Sequence, residues 1–317
     1  MKFAPVVIPT VSRFNHLKQC IESLAKCTWA DRTDVYIALD YPGRDEDWDG
    51  YRRIRNYLEA LGNPGFNSFN VIYRDHNYFF SGEGNARSLI SDLFTTYDRY
   101  IYSEDDNIFS PNFLVFINKG LELFEDDHSV LAINGYRHFY PVVFDNNSFF
   151  RQNVDFSAWG YGTWKERRDF IGSLTPQYFR QNMNWKNYWK VHKNGNNRLI
   201  RFMRECYYEK TSSTDNTLSV MMPLEGMDVI MPRVSLVRNT GWDNSGVNCN
   251  NENDSLAHTH LTQPISDQTD FEFIGTGKEH YQENKRIYVR SSYGKTGVFP
   301  LVKETSKFLL KRVLYGY

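Results

Sequence analysis

Tyr100-Ile101-Tyr102-Ser103-Glu104-Asp105-Asp106-Asn107 is the stretch that decides the fold. A short apolar strand runs without a break into three consecutive carboxylates. Open α/β sheets place their ligands beyond the carboxyl ends of their strands, so this order predicts a sheet with a site at that edge. Three adjacent carboxylates repel one another, and a bound cation or solvation relieves them. Mg²⁺ or Mn²⁺ is the natural occupant, since both prefer oxygen ligands and complete their shells with phosphate oxygens. The alternative is an acidic turn that serves the dipole of the next helix. That helix contains Phe113, Phe116 and Leu121, with Ser110-Pro111 as its N-cap and first residue.

Upstream of the cluster, short apolar runs alternate with helical periods, the pattern of a mostly parallel central sheet flanked by helices. Pro5 to Pro9 reads as a buried strand. Ser12 is the expected N-cap of a helix whose apolar face is Leu17, Cys20, Ile21 and Leu24. Val35 to Leu39 is a second strand, closed by Asp40 and the turn Tyr41-Pro42-Gly43. A helix from Trp48 to Leu61 stops at Gly62-Asn63-Pro64-Gly65. Phe69 to Tyr73 is a third strand, and a helix marked by Ala86, Leu89, Ile90, Leu93 and Phe94 begins near Ser81 to Gly84. Beyond about residue 130 the periodicity weakens, and Phe139 to Trp189 gives few helix or strand signals. Asn244 to Asp254 reads as an irregular surface loop.

Composition narrows the function. The chain of 317 residues has a formal charge of -1, which leaves no overall basic field for gripping nucleic acid. Aromatic residues make up 16%, which suits either sugar-stacking surfaces or a large aromatic core. Cys20 and Cys27 fall in one predicted helix, roughly 10 Å apart along its axis, too far for a disulfide. With no Cys-x-x-Cys pair, no signal-peptide pattern after Met1 and no 18-residue apolar run, a cytoplasmic protein is expected. Near the end, Lys303, Lys307, Lys311 and Arg312 stand against Glu304, interleaved with Leu301, Phe308, Leu309, Leu310 and Leu314. This pattern fits a helix docked on the body, or a basic amphipathic helix lying peripherally on the inner face of the cell membrane.

Several segments together resemble GT-A glycosyltransferases. They are Pro5-Val-Val-Ile-Pro9 with Thr10-Val-Ser-Arg13, Asp40, Ser103-Glu-Asp-Asp-Asn107, Trp159-Gly-Tyr-Gly-Thr-Trp164 and Asn239-Thr-Gly-Trp-Asp-Asn-Ser-Gly246. The nearest likeness is to the N-acetylglucosaminyltransferases that begin complex N-glycan branches and to their bacterial relatives. Gly162 stands where the bacterial pattern has Ala. The resemblance covers residues 4 to about 250 and implies a GT-A, Rossmann-like α/β fold with a less regular acceptor half. It implies a donor-binding half over 1–125, an acceptor-binding and catalytic half over 126–260, and a C-terminal extension over 261–317.

What the resemblance implies for individual residues follows. Pro9, Thr10, Arg13 and Asp40 match positions that hold the nucleoside, and Asp106 matches the residue that binds Mn²⁺ or Mg²⁺. Glu104 and Asp105 would face the sugar and the ribose. Gly82-Glu-Gly-Asn-Ala-Arg87 matches a donor-side loop, in which Arg87 meets a diphosphate or, alternatively, pairs with Glu83. Asp215 is the expected catalytic base, with a helix N-cap as its structural alternative and Asp169 and Glu166 as reserves. Trp159, Gly160, Tyr161 and Trp164 would shape the sugar pockets. The implied reaction is inverting transfer from a UDP-sugar, with N-acetylglucosamine as the suggested sugar, to a glycan or lipid-linked glycan in polysaccharide biosynthesis.

Three other readings compete. A sugar nucleotidyltransferase needs a Gly-rich phosphate loop after the first strand, where this chain has Pro9-Thr10-Val11-Ser12-Arg13. A sugar-binding protein without catalysis is consistent with the same motifs. A metal hydrolase would use His258-Thr-His260, whose imidazoles share a face if the segment is a strand, though a surface loop fits it as well.

Overall fold

The computed structural model describes residues 1–317 except Gly82, Asp145, residues 207–213, Asn244, residues 246–254, 296–297 and 316–317. Ten strands are present among the described residues: β1 (Val6–Thr10), β2 (Asp34–Leu39), β3 (Ser68–Tyr73), β4 (Arg99–Tyr102), β5 (Asn107–Phe109), β6 (Val130–Asn134), β7 (Phe149–Gln152), β8 (Tyr161–Trp164), β9 (Asp228–Pro232) and β10 (Val237–Asn239). Eight form one sheet in the order β3-β2-β1-β4-β8-β6-β9-β7, while β5 and β10 form a separate antiparallel pair. β1 to β4 are mutually parallel, β6 runs parallel to β9, and β8 is inserted antiparallel between β4 and β6. The result is a Rossmann-like α/β fold with a mostly parallel central sheet flanked by helices.

The predicted strands of the first hundred residues are all present, with ends moved by one residue. The aliphatic residues of β1, β2 and β4 are buried on both faces, as expected for strands covered by helices, while the edge strand β3 is only half-buried and its Tyr73 is exposed. Helices Phe14–Leu24 and Asp47–Leu61 cover one side, joined in one core to Phe113–Leu123, whose first six residues are all buried. Helix Asn85–Leu93 and the helices between residues 176 and 225 cover the other. Residues past 130, where periodicity fades, supply β6 to β9 and so half of the same sheet. Their signal is poor because each strand has only four or five residues and almost every position is buried, leaving no alternation to read.

Gly162 shows why a smaller residue stands in the Trp-rich segment. A Cβ there would come within 2.5 Å of Ile117 Cγ2 and 3.0 Å of Leu121 Cδ1, because helix Phe113–Leu123 lies directly on β8. Cys20 and Cys27 are free buried thiols, in line with the spacing argument. Among the described residues no helix is long and apolar enough to cross a membrane.

Candidate active site

The carboxyl end of β4 brings residues from β1, from the cluster and from β10 into one network. Thr10, the last residue of β1, donates its hydroxyl to Asp105 Oδ2 at 2.7 Å. Arg13 forks across two carboxylates, reaching Asp106 Oδ2 at 2.6 Å and also Asp105 Oδ1. Ser12 is not the helix cap: its hydroxyl donates to Asp47 at 2.9 Å, and Arg13 occupies the cap position with its guanidinium directed to the carboxylates. Charge pairing is worth more to the buried Asp105 and Asp106 than a side-chain cap is to the helix.

The pairing of β5 with β10 delivers a second set of partners. Asn239, wholly buried, donates from Nδ2 to Asp106 Oδ1 at 2.6 Å and to Asn107 Oδ1 at 3.2 Å. Thr240 donates both its N–H and its hydroxyl to the Asp106 carbonyl, each at 2.8 Å. A Cβ on Gly241 would lie 2.0 Å from Asp106 Oδ2, so only glycine lets that backbone pass. Asp106 is therefore held from three sides. The sequence singles out residues 239–246 as a segment but gives Asn239 no role, because nothing local says which strand it will face.

Burial raises Asp106 above the usual carboxylate range; Arg13 opposes the rise and Asp105 adds to it. Glu104, partly exposed beside them, is pushed up to about 8 by burial and then by Asp106 and Asp215. Burial likewise opposes the Arg13 charge, but Asp105 and Asp106 outweigh it and hold the guanidinium above its ordinary range.

Asp215 comes to this cluster from the far half of the chain. It lies in the first turn of helix Thr214–Glu225, yet its Oδ1 accepts the N–H of Ala158 at 2.7 Å. The carboxylate thus ties the helix to the Trp159 segment. It is close enough to Glu104, Tyr102 and Tyr161 to perturb each of them. Burial pushes Asp215 up to about 7, with Asp155 adding to the rise and the Ala158 N–H, Arg201 and Arg198 pulling down. Residues 211–213, which precede the helix, lie outside the described residues.

An aromatic patch adjoins the cluster. Trp159 packs edge-on to Tyr136 at 4.7 Å and to His260 at 5.2 Å, and Trp242 stacks on His260 at 4.7 Å. The Tyr136 hydroxyl is bonded to His260 Nδ1. Trp242 Nε1 is buried with no partner among the described residues. The expectation of His258 and His260 sharing a strand face, or lying in a surface loop, is overturned, since both lie on helix Ser255–Thr262. Two residues apart on a helix they point about 200° from each other. His258 is exposed and His260 is buried in the patch. Among the described residues no group of three or more His, Cys, Asp or Glu side chains is arranged to hold a metal ion.

The remaining predicted residues divide by place. Asp40 closes β2 and spends its carboxylate on the N–H groups of Tyr41, Tyr78 and Phe79 at 2.9, 2.8 and 3.2 Å. Pro9 lies on β1 beside Thr10. Gly160, at φ +78°, lets the backbone turn against Val237 and Phe113. Arg87 is exposed on helix Asn85–Leu93 and makes no ion pair among the described residues; Glu83 bonds His76 at 3.0 Å instead.

Tyr161 is buried against Tyr100, its hydroxyl 3.3 Å away. Trp164 does not join the aromatic patch. It pairs with Arg99 at the amino end of β4, and its buried indole donates to the Leu121 carbonyl at 3.2 Å. Glu166 and Asp169 follow it on helix Lys165–Gly172, both exposed, at the edge of the sheet opposite the acidic cluster. The reversal of β8 against β4 causes this separation, and a linear reading of the Trp-rich segment does not reveal it.

No protein-family model matches the chain, and none of the curated proteins matches it in sequence. Among solved structures, a mannosyltransferase, PcManGT from Pyrobaculum calidifontis in complex with GDP-Man and Mn²⁺, is similar over 70% of this chain and 68% of its own, at 10% identity and TM-score 0.40. Residues 1–349 of S. aureus TarS are similar over 75% of this chain and 60% of theirs, at 13% identity and TM-score 0.40. The same piece with UDP-GlcNAc is similar over 47% of this chain and 38% of its own, at 17% identity and TM-score 0.30. The chain thus covers less than two thirds of the TarS chains.

Proposed function

We propose that this chain is an inverting, metal-dependent glycosyltransferase that moves a sugar from a UDP-sugar to a hydroxyl of a glycan or lipid-linked glycan. The observation that carries the reading is the network of Thr10, Arg13, Asp105 and Asp106 at the carboxyl end of β4, with Glu104 beside it and Asp215 near enough to Glu104 to raise its carboxyl. On this reading the charged fork takes the nucleotide diphosphate and Asp215 takes the proton. N-acetylglucosamine is the sugar suggested by the resemblance.

The donor set fits a hard divalent cation. All its candidate ligands are oxygens, and although each oxygen of Asp105 and Asp106 already accepts a hydrogen bond, each keeps a second lone pair. Mg²⁺ or Mn²⁺ needs only one or two protein carboxylates when phosphates complete the shell, so a three-residue cage is not required. Asp106, held by Asn239, Thr240 and Arg13, would carry the ion, which when bound offsets the charge gathering on the departing nucleotide.

The protein's own groups account for the rest. Arg13 has the planar fork that binds phosphate oxygens, and it reaches the cluster from the end of β1. Asp215 takes the proton from the acceptor hydroxyl as that oxygen bonds to the anomeric carbon. The bond from that carbon to the diphosphate breaks, and its electron pair leaves with the nucleotide. A carboxylate pushed up to about 7 is a better base at neutral pH than an ordinary one. In the aromatic patch Tyr136 and Trp159 are buried and Trp242 is partly exposed, so Trp242 is the ring against which sugar C–H groups would pack.

The test is release of free nucleotide from a panel of UDP- and GDP-sugars, with Mn²⁺ or with chelator, for the native chain and Asp106→Ala. Mn²⁺-dependent turnover of a UDP-sugar that disappears in the variant is expected. Failure to bind any sugar nucleotide by calorimetry would sink the proposal.

A further inference from the structure

We propose that helix Val298–Tyr315 is a docking surface for an anionic lipid bilayer, on which it lies in the plane of the interface. One side of the helix packs against helix Asn196–Glu205. The other side is open and, apart from Ser306 and Lys303, apolar. Phe299, Val302, Leu309, Leu310, Val313 and Leu314 are 79%, 54%, 43%, 60%, 83% and 65% exposed. At 3.6 residues per turn these six fall within an arc of about 140°. Single exposed apolar residues are ordinary, but six forming one contiguous helix face mark a surface that something covers.

Charge identifies the occupant. Lys303 falls just inside the edge of the arc and Lys307 just outside it, both exposed. Across the segment Lys303, Lys307, Lys311 and Arg312 stand against the single acid Glu304. Lysine stems can lie along the hydrocarbon boundary while their ammonium groups reach lipid phosphates. An apolar arc bordered along one edge by lysine is the composition of a helix held at an anionic interface. A second copy of the chain is a poorer fit, because pairing two such faces would bring both lysine rims together with few carboxylates to match them. Since no helix among the described residues is long and apolar enough to cross a bilayer, the helix rests on the membrane. The inference stands apart from the sugar-transfer reading.

The test is co-sedimentation of the full chain with phosphatidylcholine vesicles, with and without phosphatidylglycerol, at low and high salt. The native chain is expected to bind the anionic vesicles and to lose much of that binding in high salt. The double variant Leu309→Gln with Val313→Gln, both at exposed positions and so expected to keep the native Tm, should bind at least roughly tenfold more weakly. Lys303→Glu with Lys307→Glu should lower binding to anionic vesicles by roughly tenfold or more, with little effect on neutral ones. Absence of vesicle binding, or equal binding by the native chain and the glutamine variant, overturns the proposal. So does a concentration-dependent dimer in analytical ultracentrifugation that the glutamine variant dissolves, which would assign the face to a second copy.

Discussion

β4 carries at each end an arginine that binds two carboxylates. At its carboxyl end Arg13 joins Asp105 and Asp106, whose side chains are 5% and 4% exposed. At its amino end Arg99 joins Asp98 at 2.8 Å and Glu125 at 2.7 Å, whose side chains are 47% and 43% exposed. The chemistry is the same, and the surroundings reverse its outcome. Burial of Asp98 is slight and is outweighed by Arg99 and Lys2, so its carboxyl sits below the ordinary range. Burial of Asp106 outweighs Arg13, so its carboxyl sits above. The amino-end fork is a surface brace. The carboxyl-end fork is charge kept from water, and on the proposed reading it is where a cation and a phosphate would bind.

The strongest test of that contrast is Asp215→Asn, which removes the carboxylate that helps raise Glu104 beside the buried fork. On the proposed reading kcat should fall by about 10²–10⁴, with a much smaller change in KM. In the native enzyme kcat should rise with pH through about 7, and the residual rate of the variant should lack that rise. Stability should move the other way. A carboxyl raised in the folded state binds its proton more tightly there than in the unfolded chain, so stability falls as pH climbs from the ordinary carboxyl range to about 7. Asp215→Asn should therefore raise Tm at pH 8 more than at pH 5. A variant of full activity would leave Asp215 as a structural tie to Ala158 alone.

Next in size is Arg13→Ala, which leaves Asp105 and Asp106 buried without their counter-charge and should cost about 3–5 kcal/mol in urea unfolding. Mn²⁺ should then raise the Tm of this variant more than that of the native chain, because the ion replaces the missing guanidinium. Equal shifts would mean that ion and arginine do not compete for the same oxygens.

Asn239→Ala should cost about 1–3 kcal/mol by leaving Asp106 Oδ1 short of a donor, and it should weaken any Mn²⁺ dependence of the rate. The smallest effect belongs to the other fork: Glu125→Gln should cost about 0–1 kcal/mol and leave turnover unchanged. A loss as large as that of Arg13→Ala would erase the distinction between the two ends of β4.

The first 125 residues were legible because their signals are local. An apolar run, a turn and a helical period each need only a few neighbouring residues, and β1 to β4 follow them to within one residue. The acidic cluster was legible for the same reason, since its position after Tyr102 is a matter of chain order. The residues beyond 130 were not. β8 runs antiparallel between β4 and β6, which sends Trp164, Glu166 and Asp169 to the far edge of the sheet while Trp159 stays near the cluster. Ser12 satisfied every local rule for an N-cap and yet bonds Asp47, because Arg13 has a better partner across the sheet.

By itself the sequence determined the α/β alternation, the carboxylates at a strand end and the basic, apolar composition of the last helix, all consequences of short-range order and of what water excludes. Only the tertiary structure decided that Asn239 clamps Asp106 across 133 positions of chain, that Asp215 approaches Glu104, and which arc of helix Val298–Tyr315 faces outward. Those outcomes depend on strand pairing and packing between distant segments. A residue's chemistry limits the partners it can take, and the fold chooses among them.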